Sequence, residues 1–294
     1  TLGALKGGAL KAGQLLSTVE TLFPQDPEGR WRTALTAMQE ANPGLPFAEV
    51  EPVLAADLGA RWRERFSAFD ESPAAAASIG QVHRATMRDG QEVAVKIQYP
   101  GIAEVMSADV RALSIALRAT SLVARGMAMP PLVAELRTRL GEELDYEQEA
   151  RWQNAFAAAY EGDPDVVVPK ALLATRRVMV SQWLPGVPFA RLALTGTSEQ
   201  RDRAGQMYQR FFLESPTRVG LLHTDPHPGN FRLVGDRLGV LDFGSVLVTP
   251  GGLPETFGRL IAGMLVGDDV AVEARLRADG FIKAGKRFEV AKLA

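Results

Sequence analysis

The first third of the chain carries apolar residues at helical spacing. Leucine, alanine and valine recur about every third or fourth position over residues 2–22, and Pro24 ends the run. The same spacing predicts helices over 27–41 and 47–58. We therefore predict that residues 1–70 form an N-terminal helical extension.

Near Pro73 the pattern becomes strand-like. Apolar and polar residues alternate over 78–87 and 91–98, and Asp89-Gly90 between them is a strong signal for a β-hairpin. These segments predict an antiparallel pair of strands at the start of a sheet-containing lobe.

Helical and strand patterns then alternate on both sides of a turn-rich hinge at 184–188. Before the hinge we predict long helices over about 102–125 and 130–160, and strands at 165–169 and 177–183. The predicted elements after the hinge are loops and short strands over 221–244 and helices over 198–218, 252–266 and 269–279.

Composition and charge exclude several classes of protein. A net charge of −2 without a dense basic run gives no reason to expect a nucleic acid partner. The chain has no Cys, which rules out disulfides and thiol catalysis, and no apolar stretch reaches the roughly 20 residues that span a bilayer. Since Thr1 lies in a helix-like pattern, we expect the chain to be a segment of a longer protein whose flanks could hold a membrane anchor.

Four polar residues stand in patterns typical of phosphoryl transfer. Lys96 ends the strand-like Val-Ala-Val-Lys, where its charge can reach the α- and β-phosphates of ATP. Asp225 and Asn230 lie in His-Thr-Asp-Pro-His-Pro-Gly-Asn, and Asp242 precedes Phe-Gly. Asp225 can accept or orient the proton of an attacking hydroxyl, while Asn230 and Asp242 offer the hard oxygen ligands that Mg²⁺ prefers.

Lys96 needs a carboxylate to fix its direction, and the predicted helix over 130–160 offers several. Glu142, Asp145 and Glu149 follow i, i+3, i+7 spacing and share one face of that helix. The spacing alone does not say which of these carboxylates meets the lysine.

The order of these motifs is that of a protein-kinase-like fold. We therefore predict an α+β, kinase-like two-lobed fold behind the helical extension, with an N-lobe over 71–184 that contains inserted helices and a C-lobe over 185–294 that we expect to be truncated. The usual glycine-rich loop is absent, because 73–81 reads Pro-Ala-Ala-Ala-Ala-Ser-Ile-Gly-Gln. Alanine takes positive φ less readily than glycine, so a stiffer phosphate loop is predicted.

Together the motifs resemble the UbiB/ADCK/AarF family of atypical kinases over about residues 3–265. Lys11-Ala-Gly-Gln14 is similar to the family's Lys-x-Gly-Gln signature, and Ala75-Ala-Ala-Ser78 to its alanine-rich loop. Glu143-Leu-Asp145 is similar to its Glu-x-Asp segment, and the sequence over 95–101 to its lysine strand.

The resemblance implies roles for individual residues. Glu149 would be the carboxylate partner of Lys96. Lys11 and Gln14 would fold over the nucleotide pocket, near Glu143 and Asp145, and these four residues would form a regulatory signature. The extension that carries Lys11 and Gln14 would occupy the place where a protein substrate would otherwise bind. The alanine-rich loop would bind the nucleotide with an altered preference and suppress autophosphorylation; its residues would be Ala75, Ala76, Ala77 and Ser78.

The resemblance also implies an ATP-dependent phosphotransferase or ATPase that uses ATP, ADP and Mg²⁺. It would support the metabolism of ubiquinone, another isoprenoid quinone or a lipid, and lipids would stimulate its ATPase activity. Its partners would be the nucleotide, a lipid or quinone-type small molecule and the membrane surface. We expect a cytoplasmic bacterial protein that associates with membranes peripherally.

Other functions stay open on the sequence alone. A nucleotide-gated, lipid-binding scaffold would use the same fold with vestigial chemistry, although the filled catalytic positions favour an enzyme. A small-molecule kinase of the aminoglycoside or choline type shares the Asp, Asn and Asp pattern but leaves the Lys11–Gln14 signature unexplained. A conventional protein kinase is disfavoured, because 246–254 is short for an activation segment and no Ala-Pro-Glu motif follows Asp242.

Overall fold

The computed structural model describes residues 44–77, 79–108, 111, 141–253, 255–279 and 282, and these form a mixed α+β structure. They divide into two compact units. The first contains residues up to 207 together with 225–245, and the second contains 208–224 together with residues from 246 onward. The helices predicted over 2–22 and 27–41 lie outside the described residues.

The helices and strands follow the chain in a simple order. They are α1 (Phe47–Leu58), β1 (Phe66–Ala76), β2 (Gly80–Met87), β3 (Glu92–Gln98), α2 (Tyr146–Ala159), β4 (Val166–Val167), β5 (Ala171–Ala174), β6 (Val178–Gln182), β7 (Val187–Pro188), α3 (Phe189–Thr195), α4 (Ser198–Arg218), β8 (Leu221–His223), β9 (Phe231–Val234), β10 (Arg237–Val240), β11 (Val246–Val248), α5 (Glu255–Val266) and α6 (Asp269–Ala278). Short 3-10 helices cover Trp62–Arg65 and Pro228–Asn230, and residues 102–108 and 141–143 are also helical.

A five-stranded antiparallel sheet in the order β1-β2-β3-β6-β5 is the main layer of the first unit. The predicted hairpin between β2 and β3 is confirmed. Gly90 takes a φ of +88°, and the backbone N–H of Gln91 donates to Asp89 Oδ1 at 2.9 Å. Strand β1 begins before Pro73 and runs through Ala76, so only residues 77–79 connect it to β2.

Helix α1 covers the face of this sheet that carries the central apolar residues of β3. Its buried residues, Val50, Val53, Leu54 and Leu58, follow the helical period and form one cluster with Val93, Val95 and Ile97. Gly59, at a φ of +89°, ends the helix. The bounds predicted for α1 are therefore confirmed.

The helix predicted over 130–160 is interrupted at 144–145 in its described part, and the prediction of one continuous helix there is wrong. Residues 141–143 are helical, but the chain leaves the helix at 144 and α2 begins at Tyr146. Asp145 has extended backbone angles and caps α2 by accepting a hydrogen bond from the Gln148 backbone N–H at 3.0 Å. Gln98 Nε2 also donates to the Leu144 carbonyl at 2.9 Å, which stabilises the break.

A second, four-stranded sheet in the order β4-β10-β9-β7 lies in the same unit. Strands β9 and β10 form an antiparallel hairpin in which Phe231 is directly opposite Val240. Because β9 follows Asn230 and β10 precedes Asp242, the hairpin brings these two residues to the same end of the sheet.

The second unit contains the two-stranded sheet of β8 and β11 and the helices α5 and α6. These helices pack through Leu260, Val272 and the partly buried Leu276. His223 is buried against the rings of Phe211 and Phe212, with ring centroids 6.0 and 5.7 Å away. Among the described residues, no helix combines the length and apolar character needed to cross a membrane.

Candidate functional site

Lys96 lies between two carboxylates from distant parts of the chain. Its Nζ is 2.8 and 2.9 Å from the two side-chain oxygens of Glu149 on α2, and 2.9 Å from Asp242 Oδ2 after β10. Glu149 is therefore the carboxylate of the acidic segment that the structure pairs with the lysine. The exposed fraction of the side chain is 12% for Lys96 and 2% for Glu149, so this ion pair is almost fully removed from water.

Helix α2 is held against the segment that carries Asp242. Glu149 Oε1 accepts a hydrogen bond from the Phe243 backbone N–H at 3.4 Å, and the rings of Phe243 and Phe156 lie 4.9 Å apart. Glu149 and Phe156 are seven positions apart and so share one face of the helix. The contact between Phe156 and Phe243 therefore holds the face of α2 that carries Glu149 beside Asp242.

Glu143 lies close to this cluster. A methyl group placed on Gly244 would lie 3.3 Å from Asp242 Oδ1, 3.9 Å from Glu149 Oε2 and 4.0 Å from Glu143 Cγ. Three acidic side chains therefore surround the glycine of Asp-Phe-Gly. Asp145, in contrast, is accounted for as the cap of α2.

Burial and charge oppose each other at the ion pair. Burial raises the pKa of Glu149 to about 7, against the opposing effect of the Lys96 charge. Burial alone would lower the pKa of Lys96, but the charges of Asp242 and Glu149 raise it well above its usual value. The lysine therefore stays charged, while the ionisation of Glu149 changes near neutral pH.

The segment from Asp225 to Asn230 is closed by its own hydrogen bonds. Asn230 Nδ2 donates to Asp225 Oδ2 at 2.9 Å, and the His227 backbone N–H donates to Asp225 Oδ1 at 3.2 Å. The Leu241 backbone N–H donates to the Asn230 carbonyl at 2.9 Å. Asp225 contacts Asn230, and Asn230 contacts Leu241, the residue before Asp242. Asp242 in turn contacts Lys96, so one continuous set of contacts joins Asp225 to Lys96.

The side chains of Asn230 and Asp242 have ligand chemistry that suits a magnesium ion. Asn230 uses its amide N–H on Asp225, which leaves its side-chain carbonyl oxygen as an acceptor. Asp242 adds a carboxylate, and Mg²⁺ prefers such oxygens together with substrate phosphates. Within the described residues, no group of three or more His, Cys, Asp or Glu side chains is arranged to hold a metal.

The alanine-rich segment forms the closed end of the first hairpin. Ala75 pairs with Val82 and Ala76 with Gln81, and the Ala77 backbone N–H donates to the Gly80 carbonyl at 2.8 Å. Of the other predicted residues, Ser78, Lys11 and Gln14 lie outside the described residues.

A buried polar network beside this segment was missed by sequence reasoning. Gln81 accepts a hydrogen bond from the Leu45 backbone N–H at 2.7 Å, and its Nε2 lies 3.2 Å from the Leu45 carbonyl and 2.9 Å from His83 Nε2. His83 Nδ1 lies 2.9 Å from the Asp70 carbonyl, which can only accept, so the proton is on Nδ1 and Nε2 accepts from Gln81. Burial lowers the pKa of His83, which favours this neutral form.

Comparison with known proteins shows similarity to atypical kinases over most of the chain. The model of the ABC1 atypical kinase-like domain matches residues 37–274. The mitochondrial atypical kinase COQ8 of Saccharomyces cerevisiae is 35% identical over 246 residues, which are 82% of this chain and 48% of COQ8. The mitochondrial atypical kinase COQ8B of Danio rerio is 32% identical over 278 residues, which are 92% of this chain and 44% of COQ8B. The chain thus spans about half the length of these relatives, or less.

A solved structure extends the comparison to three dimensions. The complex of Rv3197 with erythromycin from Mycobacterium tuberculosis is 41% identical, has a TM-score of 0.74, and covers 99% of this chain and 74% of that one. The domain match and this structural neighbour confirm the kinase-like fold that the order of motifs predicted.

Proposed function

The chain belongs to the ABC1 atypical kinase-like family, the UbiB/ADCK/AarF group that its motifs resemble, and from this premise we propose that it binds ATP with Mg²⁺ and transfers or hydrolyses the terminal phosphoryl group. The observation that carries the proposal is the buried contact of Lys96 with both Glu149 and Asp242. A nearly buried lysine held by carboxylates from distant parts of the chain needs a reason, and a phosphate-binding site supplies one.

Each residue of the cluster has a role in this proposal. Lys96 binds the α- and β-phosphates while Glu149 holds its direction, and Asp242 and Asn230 hold the metal ion. A bound Mg²⁺ neutralises the developing negative charge on the phosphates. Asp225, held in place by Asn230 and by the His227 backbone, orients the nucleophile, which is water or a hydroxyl group.

The segments around the cluster would control access to it. We propose that 75–78 lies along the nucleotide, and that Lys11 and Gln14 act with Glu143 and Asp145 as a regulatory signature. The domain boundaries at about 70 and 185 belong to the same proposal. An extension that covers the pocket would favour a small or lipid-soluble substrate over a protein substrate.

The physiological role we propose is support of isoprenoid-quinone metabolism, such as that of ubiquinone, or of lipid metabolism, in association with a membrane surface. The similarity to the COQ8 atypical kinases supports this role. The alternatives are a nucleotide-gated scaffold that binds lipid without turnover, and a small-molecule kinase.

The decisive experiment measures Mg²⁺-dependent release of ADP by the purified chain, with and without anionic liposomes. Asp225→Asn is the test variant, and Asp236→Asn, at an exposed residue between β9 and β10, is the matched control. Turnover that increases with liposomes and is lost only in Asp225→Asn supports a membrane-coupled enzyme. Nucleotide binding without turnover would favour the scaffold instead.

Macrolide binding is a second candidate function. It is favoured by 41% identity, over nearly the whole chain, to a protein solved in complex with erythromycin. Isothermal titration with erythromycin, in the absence and presence of Mg-ATP, tests it. Undetectable heat at millimolar erythromycin would remove this candidate.

A further inference from the structure

Arg232 is a half-buried cation next to the hinge of the first unit. It lies on β9, directly after Phe231, and its backbone pairs with Pro188 on β7 and Gly239 on β10. Burial lowers the pKa of Arg232, and among the described residues no neighbouring charge offsets that effect. Within the part of the chain that the structure describes, no carboxylate forms an ion pair with it. Burial of a guanidinium away from water costs free energy when no carboxylate pairs with it. A bound ligand that contacts the guanidinium would offset this cost.

The strand geometry fixes the side on which Arg232 lies. Phe231 is fully buried, so the next side chain leaves β9 on the opposite face. Directly across the hairpin, Gly239 has no side chain, and a methyl group there would lie 2.7 Å from Leu184 Cδ2 and 2.9 Å from Val234 Cγ2. Residues directly opposite in an antiparallel pair share a face, so Arg232 lies on the face against which the hinge residue Leu184 packs.

Trp183, directly before the hinge, lies near two guanidinium groups. The Cζ atom of Arg232 is 5.9 Å from a ring centroid of Trp183, and that of Arg84 is 5.2 Å from it. Arg84 is already neutralised by an ion pair with Glu92. Arg232 is therefore the cation at this hinge whose charge has no counterpart among the described residues.

Arg84 also shows which face of the five-stranded sheet is close to Trp183. On β2 it is directly opposite Ala94, and Val82 is directly opposite Lys96. Alternate residues of a strand share a face, so Arg84 and Lys96 lie on the same side of that sheet. Trp183 therefore lies at one end of the sheet face that carries Lys96. Arg232, which is near Trp183, lies on β9, the strand that directly follows Asn230.

We propose that Arg232 binds the nucleoside end of the nucleotide, with its guanidinium plane against the base. This inference rests on the proposed ATP site, in which Lys96, Asn230 and Asp242 account for the phosphates and the metal. A base supplies both an aromatic face and ring acceptors, and an arginine can stack on the first and donate to the second. Arg232 is on this view a specificity-determining residue for the base, distinct from the residues that hold phosphate.

Competition binding separates the two ends of the nucleotide. A fluorescent ATP analogue is displaced from the chain by ADP, by adenosine and by tripolyphosphate, in the wild type and in Arg232→Leu. We expect adenosine and ADP to bind about fivefold to tenfold more weakly to Arg232→Leu, because a desolvated cation–π contact is lost, while tripolyphosphate binds as before. Arg237→Leu, at an exposed arginine on the adjacent strand, is the matched control and should leave all three affinities unchanged.

Further variants keep the test decisive. Arg232→Gln retains polarity and much of the side-chain length, and should show the same loss for adenosine if the guanidinium plane is what matters. Unchanged adenosine binding in both Arg232 variants would overturn the inference, and so would a loss that affects tripolyphosphate equally. If the wild type binds nucleotide with Mg²⁺ and needs Lys96 but not Arg232, only this inference fails; if the wild type binds no nucleotide, the proposed function fails with it.

Discussion

At the scale of single residues, the ionisation of Glu149 should set the lower pH limit of activity. Burial raises the pKa of Glu149 to about 7, so the carboxylate that holds Lys96 is lost as the pH falls below that value. We expect kcat/KM for ATP to fall by about tenfold per pH unit well below neutrality, as for one essential base in the free enzyme. Steady-state ATPase assays across the pH range measure this fall in kcat/KM.

Two variants and the stability of the fold check the assignment. In Glu149→Gln the overall rate should be lower, and kcat/KM should no longer fall as the pH drops below neutrality. The exposed Glu147→Gln on the same helix should keep this fall at low pH. The pKa of Glu149 is raised from its usual 4.5, so its contribution to stability is present at low pH and lost as the pH rises through about 7. Activity and this stability contribution change in opposite directions, and a fall in kcat/KM at low pH that persists in Glu149→Gln would contradict the assignment.

The residues of the cluster were accessible to sequence reasoning because each stands in a local pattern. Lys96 follows the apolar Val-Ala-Val of a strand, and Asp225, Asn230 and Asp242 lie in short, ordered motifs. The spacing could not choose Glu149 over its acidic neighbours, since that choice depends on how α2 packs. The bond from Gln81 to Leu45 joins residues that are 36 positions apart and are linked only by the fold, so no local pattern predicts it.

At the scale of elements, the close pairing of β2 with β3 depends on Gly80. A methyl group at Gly80 would overlap the backbone carbonyl of Ile97, which cannot move without separating the strands. We expect Gly80→Ala to lower the melting temperature by several degrees, corresponding to about 1–3 kcal/mol as for other overpacked sites. Thermal unfolding followed by circular dichroism measures the change.

The matched control is Gly205→Ala on α4, where an added methyl group meets no atom of the described residues within 4 Å outside its own helix backbone and chain neighbours. Alanine is the better helix former by about 0.5–1 kcal/mol, so this variant should be slightly more stable than the wild type. Equal effects of the two substitutions would show that strand separation at Gly80 costs nothing.

The polar network at Gln81 is a second property of the elements, because it fixes the segment before α1 to strand β2. Gln81→Ala would leave the Leu45 backbone N–H and His83 Nε2 without their partner, which costs about 1–3 kcal/mol for a buried group. We expect a lower denaturant midpoint for Gln81→Ala and no change for the exposed Gln206→Ala. A wild-type midpoint in Gln81→Ala would mean that water replaces the glutamine.

The elements that the sequence predicted well are those with a clear period or turn. The apolar spacing of α1 and the Asp-Gly turn of the β2–β3 hairpin each gave the observed element. Strand β1 was missed over its first residues, because only one of its ends is buried and its register is interrupted by bulges. The break before α2 was also missed, since the contacts at Leu144 and Tyr146 come from distant residues.

At the scale of the whole molecule, the compact units of the described residues differ from the segments that the sequence pattern marks. The described residues form two compact units, and the residues of the first come from two separate stretches of the chain. The change of pattern at Pro73 and the hinge at 184–188 are both inside the first unit. Local composition marks turns and linkers, whereas compact units arise from contacts between residues that are distant in sequence. Local composition therefore does not predict the bounds of the compact units.

This division determines how ligand binding should be measured. The tryptophans that the structure describes, Trp62, Trp152 and Trp183, belong to the first unit, as do Lys96, Asp225, Asn230 and Asp242. The fluorescence of these three tryptophans therefore follows the unfolding of the unit that holds the proposed site. Circular dichroism follows the helices of both units.

We expect Mg-ATP at about 100 times its dissociation constant to stabilise the first unit by about 2.7 kcal/mol, which raises its fluorescence-detected melting temperature by roughly 5–10 °C. Chelation of Mg²⁺ by EDTA should remove most of this shift. Asp242→Asn should lose the Mg²⁺-dependent part, because its carboxylate is the charged oxygen ligand proposed for the ion, while Asp236→Asn should retain it. A full Mg²⁺-dependent shift in Asp242→Asn would show that the ion is held elsewhere.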